Sequence, residues 1–340
     1  MKPRFNVAVI GATGAVGEAM ISILEQRAFP LDQLNLLASE RSAGKRIGFG
    51  SKQIPVRDLA DFDFDQVHLA LFSAGAAVSR VHAPRAVAAG CTVIDNTSEY
   101  RYDDEIPLVV SEVNPEALEA HAARGIVANP NCSTMQMLVA VAPIHRAAGI
   151  ERINVATYQS VSGAGAGGVE ELARQTTALL NFKPLQKEQF PDQIAFNVIP
   201  HIDCFQDNGY TREEMKLVWE TQKILNDPNI RVNPTAVRVP VFNGHAEAVH
   251  LETREVLSVG EVRELLAQAP GVKVIDEHGD GGYPTPATHA SGNDAVFVGR
   301  IRKDLSHPRG INLWVVSDNV RKGAALNAVQ IAELLVNCHL

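Results

Sequence analysis

One short segment limits what this chain can fold into more than any other. Gly11-Ala12-Thr13-Gly14-Ala15-Val16-Gly17 follows an apolar run at residues 5–10 and opens a helical pattern that continues to about residue 27. Glycines there let the backbone turn sharply and approach a pyrophosphate. The start of the next helix offers free N–H groups and the positive end of its dipole. The segment predicts the first strand, phosphate loop and helix of a dinucleotide-binding unit. Further short strands are predicted at residues 34–38, 67–72 and 92–95, with a helix over 78–89 between the last two. Strands alternating with helices imply βαβ units and a parallel sheet. Residues 1–127 therefore read as a Rossmann-type, doubly wound α/β domain.

The end of the second strand in such a domain selects the cofactor. A carboxylate there accepts from ribose hydroxyls, whereas arginine or hydroxyl groups receive a 2′-phosphate. Here the residues are Ser39, Glu40, Arg41, Ser42 and, after a short turn, Lys45. Arg41 with the two serines favours NADP, and Glu40 is the one group that suits a bare ribose.

From Cys132 the pattern changes. A helix is predicted over residues 132–147, then a strand at 153–161 that enters a second glycine cluster at 163–168. A helix follows to about residue 180, an irregular stretch spans 182–212, and another helix covers 213–225. Long strands are predicted at 235–242, 246–257, 295–303 and 311–316, with a final helix over 322–335. Many strands with few helices between them point to a large mixed or antiparallel sheet, an α+β arrangement distinct from the first half.

The 340 residues suffice for two domains, and 46% hydrophobic content supports sizeable cores. A net charge of −8 argues against nucleic acid or an anionic membrane as partner. No apolar run approaches the length of a membrane span, so a cytoplasmic location is expected. The four cysteines, Cys91, Cys132, Cys204 and Cys338, are far apart in sequence, so neither a CxxC redox motif nor a metal site is expected.

Cys132 lies in Asn129-Pro130-Asn131-Cys132-Ser133-Thr134, at the predicted start of a helix. The dipole and free N–H groups there stabilise a thiolate, and the same N–H groups are candidates to hold an oxyanion. Cys91 and Cys204 read as buried small hydrophobes and Cys338 as incidental. His245 is the candidate base, in a turn between two strands that would project its ring into a cleft. Arg238, inside an apolar strand, needs an anionic partner, either a substrate carboxylate or a buried ion pair. Glu213, Glu214 and Lys216 begin a helix, and on spacing alone they are equally well a solvated helix start.

Taken in order, these residues resemble the aspartate-β-semialdehyde dehydrogenase family along nearly the whole chain. The matching segments are residues 11–17, 72–75, 95–101, 129–133, 157–159, 162–165, 213–216, 238–245, 299–304, 314–319 and 322–325. The resemblance implies NADPH-dependent reductive dephosphorylation of aspartyl phosphate to aspartate semialdehyde, a step toward lysine, threonine and methionine. It implies Cys132 as the nucleophile that forms a thioester, His245 as general acid/base, and Gln159 as the residue that orients the acyl group. Arg238 would bind the substrate α-carboxylate and Glu213 its amino group, with Lys216, Arg101 and Asn131 about the phosphate. Ser73, Ala74, Gly75, Ser162, Gly163 and Asn319 would join the first glycine loop, Ser39, Arg41 and Ser42 around the cofactor. The implied organisation is a cofactor domain of residues 1–127 with 320–340, and a catalytic and dimerisation domain of 128–319 that forms a homodimer. Two alternatives are N-acetyl-γ-glutamyl-phosphate reductase and a catalytically silent dinucleotide-binding relative. An acid at 213 serves a free substrate ammonium and is useless to an N-acetyl group.

Overall fold

The computed structural model describes residues 3–338. They form two compact units, one of Met1–Pro130 with Ala324–Leu340 and one of Asn131–Gly323.

The first unit is built on β1 (Phe5–Ile10), α1 (Ala15–Gln26), β2 (Leu31–Ala38), β3 (Arg46–Phe49), β4 (Lys52–Asp58), β5 (Leu69–Phe72), α2 (Ala76–Ala88), β6 (Thr92–Asp95) and β7 (Ile126–Ala128). Its seven-stranded sheet runs β3-β4-β2-β1-β5-β6-β7 and is parallel except for the β3–β4 hairpin. The hairpin was not predicted. The strand order reverses between β1 and β5, and in open sheets the crevice beyond the strands' carboxyl ends at that point receives the ligand. Met20, Ile23 and Leu24 of α1 and Val329, Ile331 and Leu335 of the C-terminal helix Leu326–Cys338 are sealed in one core with β1 and β2. Each such side chain contributes roughly 1.5–3 kcal/mol of burial.

The second unit holds α3 (Cys132–Ala148), β8 (Ile150–Gln159), α4 (Ala166–Leu180), α5 (Arg212–Ile224), β9 (Arg231–Arg238), β10 (His245–Thr253), α6 (Val259–Gln268), β11 (Val272–Val274), β12 (Val296–Lys303) and β13 (Gly310–Ser317). Its six-stranded sheet runs β11-β12-β13-β10-β8-β9 and is mixed, with β8–β9 and β11–β12 parallel and the rest antiparallel. β9 begins earlier than predicted and runs through Pro234. A proline that cannot donate to the ladder is tolerated there because β9 is an edge strand. It ends at Arg238, and Val239–Phe242 is not strand, contrary to the prediction. α6 and β11 were also not predicted. α3 and α6 cover one face of the sheet. On the other face the rings of Tyr158 and Trp314 meet at a tilt of 50°, centroids 5.5 Å apart, each still partly exposed.

Candidate active site

In the first unit, the loop after β1 and the loop after β5 meet. Gly11 has φ +86°, and a Cβ on it would lie 3.0 Å from the backbone of Ser73. A Cβ on Gly17 would strike the Gly11 carbonyl oxygen at 2.2 Å, so α1 packs directly on its own loop. Neither α1, after Gly14, nor α2, after Gly75, has a side-chain cap. The first-turn N–H groups at Ala15, Val16 and Gly17 are thus left for an anion. Ser73 is held by Ile10, whose carbonyl accepts from both its N–H and its hydroxyl. A cavity of about 570 Å³ opens over these loops, lined among others by Thr13, Ser39, Arg41, Ser42 and Ala74. Ala12 is buried in the core beneath. Glu40 and Asp58 also line the cavity, as does His82, which sequence reasoning passed over as an ordinary helical residue. Arg101 lies elsewhere in this unit, buried, its guanidinium donating to the carbonyls of Asn96 and Thr97 at 3.0 Å each.

The second unit gathers the other chemistry-bearing residues. Cys132 is the first residue of α3, and Asn131 caps the helix. The Asn131 side-chain oxygen accepts from Ser133 N–H at 3.0 Å and Thr134 N–H at 3.3 Å. Those two groups are therefore not available to an oxyanion, which corrects the expectation drawn from the helix start alone. The Asn131 amide nitrogen donates to Glu213 at 3.0 Å, and its backbone N–H to Glu220 at 2.7 Å.

Parallel pairing of β8 and β9 sets Gln159 beside Arg238 at the strands' ends. Gln159 accepts from Thr157 at 2.9 Å and donates to Glu213 at 3.1 Å. Glu213 is presented by α5, whose start is fixed by a capping box. Thr211 receives the Glu214 N–H, and the Glu214 carboxylate receives the Thr211 N–H at 2.7 Å and the Ala236 N–H at 2.9 Å. Both glutamates are buried, so the solvated helix start left open by the sequence is ruled out.

Lys216, one turn along, donates to Glu213 at 2.8 Å and to Asp203 at 2.9 Å. Burial pushes the Glu213 carboxyl up, but Lys216, Asn131 and Gln159 outweigh it and hold it at about 2. Burial pulls the Lys216 ammonium down, and Glu213 and Asp203 more than restore it, so it stays charged. Asp203 was missed: it sits in the irregular stretch with φ +69°, a conformation no sequence pattern announced.

Arg238 is buried and donates to the Ser160 carbonyl at 2.7 Å. Among the described residues no carboxylate forms an ion pair with it. Burial weakens its charge, and Glu213 and Cys132 partly offset that. His245 is the first residue of β10 rather than part of the preceding turn as predicted, and is fully buried. Its Nδ1 accepts the Ser160 N–H at 3.0 Å. The neutral ring is therefore the Nε2–H tautomer, and Nε2 has no partner among the described residues. Burial first, then Arg238, lowers its pKa to about 3.

Asn319 ties this corner together, accepting from Ser160 Oγ and Ser162 Oγ at 3.1 Å and from Gly244 N–H at 2.9 Å. Gly163 leaves the space these groups share, since a Cβ there would sit 2.8 Å from Arg238 Nη1 and 3.3 Å from the His245 ring. Gly323 lies against Cys132, where a Cβ would come within 2.7 Å of the cysteine Cβ. Of the other cysteines, Cys91 is buried, its thiol pushed up to about 12, whereas Cys204 is exposed, contrary to expectation. The side chain of Cys338 lies outside the described residues.

Comparison with known proteins agrees with this arrangement. Residues 6–121 match the family described as "Semialdehyde dehydrogenase, NAD binding domain", and residues 141–322 match "Semialdehyde dehydrogenase, dimerisation domain". Aspartate-semialdehyde dehydrogenase 2 of Vibrio cholerae is 61% identical over 336 residues, 99% of each chain. The crystal structure of aspartate semialdehyde dehydrogenase II from Vibrio cholerae, complexed with ASA, superposes with a TM-score of 0.98 at 60% identity and covers 100% of both chains. Aspartate semialdehyde dehydrogenase with NADP from Candida albicans superposes with a TM-score of 0.76 at 26% identity over 98% of each chain.

Proposed function

Because the chain belongs to the aspartate-semialdehyde dehydrogenase family, we propose that it converts L-4-aspartyl phosphate to L-aspartate 4-semialdehyde and phosphate, using NADPH. The observation that carries this reading is the joint placement of Cys132, Gln159, Glu213, Lys216, Arg238 and His245 in one unit, linked through Asn131, Glu213 and Ser160.

An acyl phosphate is an activated acid, so the Cys132 thiolate displaces phosphate and forms a thioester. Lys216 supplies positive charge to the departing phosphate, the role the resemblance gives to Arg101 as well. Arg238, a buried cation with no carboxylate of its own, takes the substrate α-carboxylate. Glu213, held ionised, receives the ammonium. That preference for a free amino group sets aside the N-acetylated substrate. Gln159, locked by Thr157 and Glu213, orients the acyl group. Bound NADPH supplies hydride to the thioester carbonyl. His245 Nε2–H, neutral and pointing into the site, donates to the carbonyl oxygen as it gains charge. This role differs from the acid/base role of the resemblance, because a base needs its lone pair at Nε2. Collapse of the oxyanion expels the cysteine as thiolate and leaves the aldehyde.

The glycine loop and the uncapped start of α1 fit a pyrophosphate. Ser39, Arg41 and Ser42 at the end of β2 fit a 2′-phosphate. We assign residues 1–127 with 320–340 to cofactor binding and 128–319 to catalysis and dimerisation. The aromatic face of the six-stranded sheet, at Tyr158 and Trp314, suits a second copy in a homodimer. Among the described residues no helix is long and apolar enough to cross a membrane, and the cytoplasm is the compartment we propose.

The test is mass spectrometry of protein mixed with aspartyl phosphate without reduced cofactor. An aspartyl adduct on the Cys132 peptide is expected. Modification at another residue, or none in folded protein, overturns the reading.

A further inference from the structure

Beneath the site lies a buried polar pair that the proposed reaction does not use. Glu247 is two residues along β10 from His245, so both side chains leave the same face of the strand. Gln136 is four residues along α3 from Cys132, on the same face of the helix one turn further in. α3 packs on β10, and there the Gln136 amide comes up against the Glu247 carboxyl. Glu247 is 0% and Gln136 1% exposed. Among the described residues none of the four polar atoms, Glu247 Oε1 and Oε2 and Gln136 Oε1 and Nε2, has a hydrogen-bond partner of ordinary geometry. Four orphaned polar atoms at one buried contact are costly unless they satisfy one another.

Their chemistry allows one way to do so. A carboxylate brings only acceptors, so an ionised Glu247 takes the Gln136 amide N–H but leaves the Gln136 carbonyl oxygen without a donor. A protonated carboxyl donates its O–H to that carbonyl and accepts the amide N–H in return. The register names the other groups on this face. β8 brings Thr157, β13 brings Val315 and Ser317, β10 brings His245, and α3 brings Cys132. Only the last two titrate, and neither offers a positive charge to hold a carboxylate. Burial pushes the Glu247 carboxyl well above its ordinary range, and the contact with Gln136 draws it back only in part.

We propose that Glu247 is an uncharged acid paired head to head with Gln136, a positioning pair that pins the helix carrying Cys132 to the strand carrying His245. The pair sets the approach of thiolate to imidazole without touching substrate. It also keeps a negative charge away from a centre where the thiolate and then an oxyanion must form. The kinetic part of this rests on the reaction proposed above, and the protonation part does not.

The test has two arms on the full-length protein. Infrared spectroscopy at about pH 8 is expected to show the C=O stretch of a protonated carboxyl that is absent in Glu247→Gln. The second arm measures kcat in Gln136→Glu and in the exchange variant Gln136→Glu/Glu247→Gln. Two facing acids are expected to lower kcat about tenfold or more, or to prevent folding. The exchange variant restores one acid opposite one amide and is expected to recover to within about threefold of the parent. Absence of the protonated band from the parent protein overturns the proposal. So does an exchange variant no better than Gln136→Glu. If the protonated band is present and the parent shows no turnover, it is the reaction that has failed and not the pair.

Discussion

Replacing Glu213 by glutamine removes the charge at the centre of the site and nearly nothing of its volume. The cost follows from the structure. The carboxyl stands at about 2 against an ordinary 4.5 because Lys216, Asn131 and Gln159 outweigh its burial. A fall of that size corresponds to roughly 3 kcal/mol of favourable interaction with the ionised form. Removing one member of a buried pair costs a similar 3–5 kcal/mol in general. Here Lys216 keeps Asp203 at 2.9 Å, so the lower part of that range is expected. Glu213→Gln is therefore expected to lose about 3 kcal/mol in urea unfolding. The only tryptophans, Trp219 and Trp314, both lie in the unit that holds Glu213, so their fluorescence reports the relevant transition. The sign with pH is also fixed. A carboxyl depressed on folding stabilises fully above its unfolded value and loses that contribution as pH falls toward the folded value. The gap between parent and variant should be level above about pH 5 and shrink below it. A gap under about 1 kcal/mol at neutral pH, or one that does not shrink on acidification, refutes the reasoning.

Three further outcomes are expected. Gly163→Ala places a Cβ 2.8 Å from Arg238 Nη1, which Ser160 anchors. kcat/KM should fall about tenfold or more while the melting temperature moves by only a few degrees. His245 is neutral down to about pH 3. The pH profile of kcat/KM should therefore lack an acid limb near the ordinary histidine value, and such a limb that vanished in His245→Gln would contradict its role as a hydrogen-bond donor. Arg41→Ala should raise KM for NADPH by about tenfold and leave that for NADH little changed, measured by steady-state kinetics with each cofactor.

Much of the fold was legible because it rests on local signals. The glycine loop between an apolar strand and a helix, the βα alternation, and Asn131 ahead of Cys132 each carry their own physical meaning. What stayed hidden depends on partners distant in sequence. The β3–β4 hairpin has short strands whose apolar face, Ile47, Phe49, Ile54 and Val56, offers only two residues a strand and is interrupted by Gly48 and Pro55. Pro234 hid the start of β9, since its tolerance depends on β9 being an edge. The capping of α3 was visible in outline, but not that one side chain would take both the Ser133 and Thr134 N–H groups. His245 read as a turn residue because Asn243-Gly244 precedes it, whereas pairing with Ser317 makes it the first residue of a strand. Asp203 and Ser160 hold the reactive groups in place without any motif of their own, and Asn319, expected at the cofactor, also anchors Ser160, Ser162 and Gly244. Cys204 was taken as buried on the habit of its residue type, and the loop around it leaves it in solvent.

The most direct measurement is phosphate-dependent reduction of NADP⁺ by L-aspartate semialdehyde on purified protein, with Cys132→Ala alongside. Turnover that requires phosphate and falls by at least about a thousandfold in the variant is expected. Folded protein that binds NADP⁺ yet shows no turnover, or turnover that survives Cys132→Ala, would contradict the thioester chemistry and its nucleophile.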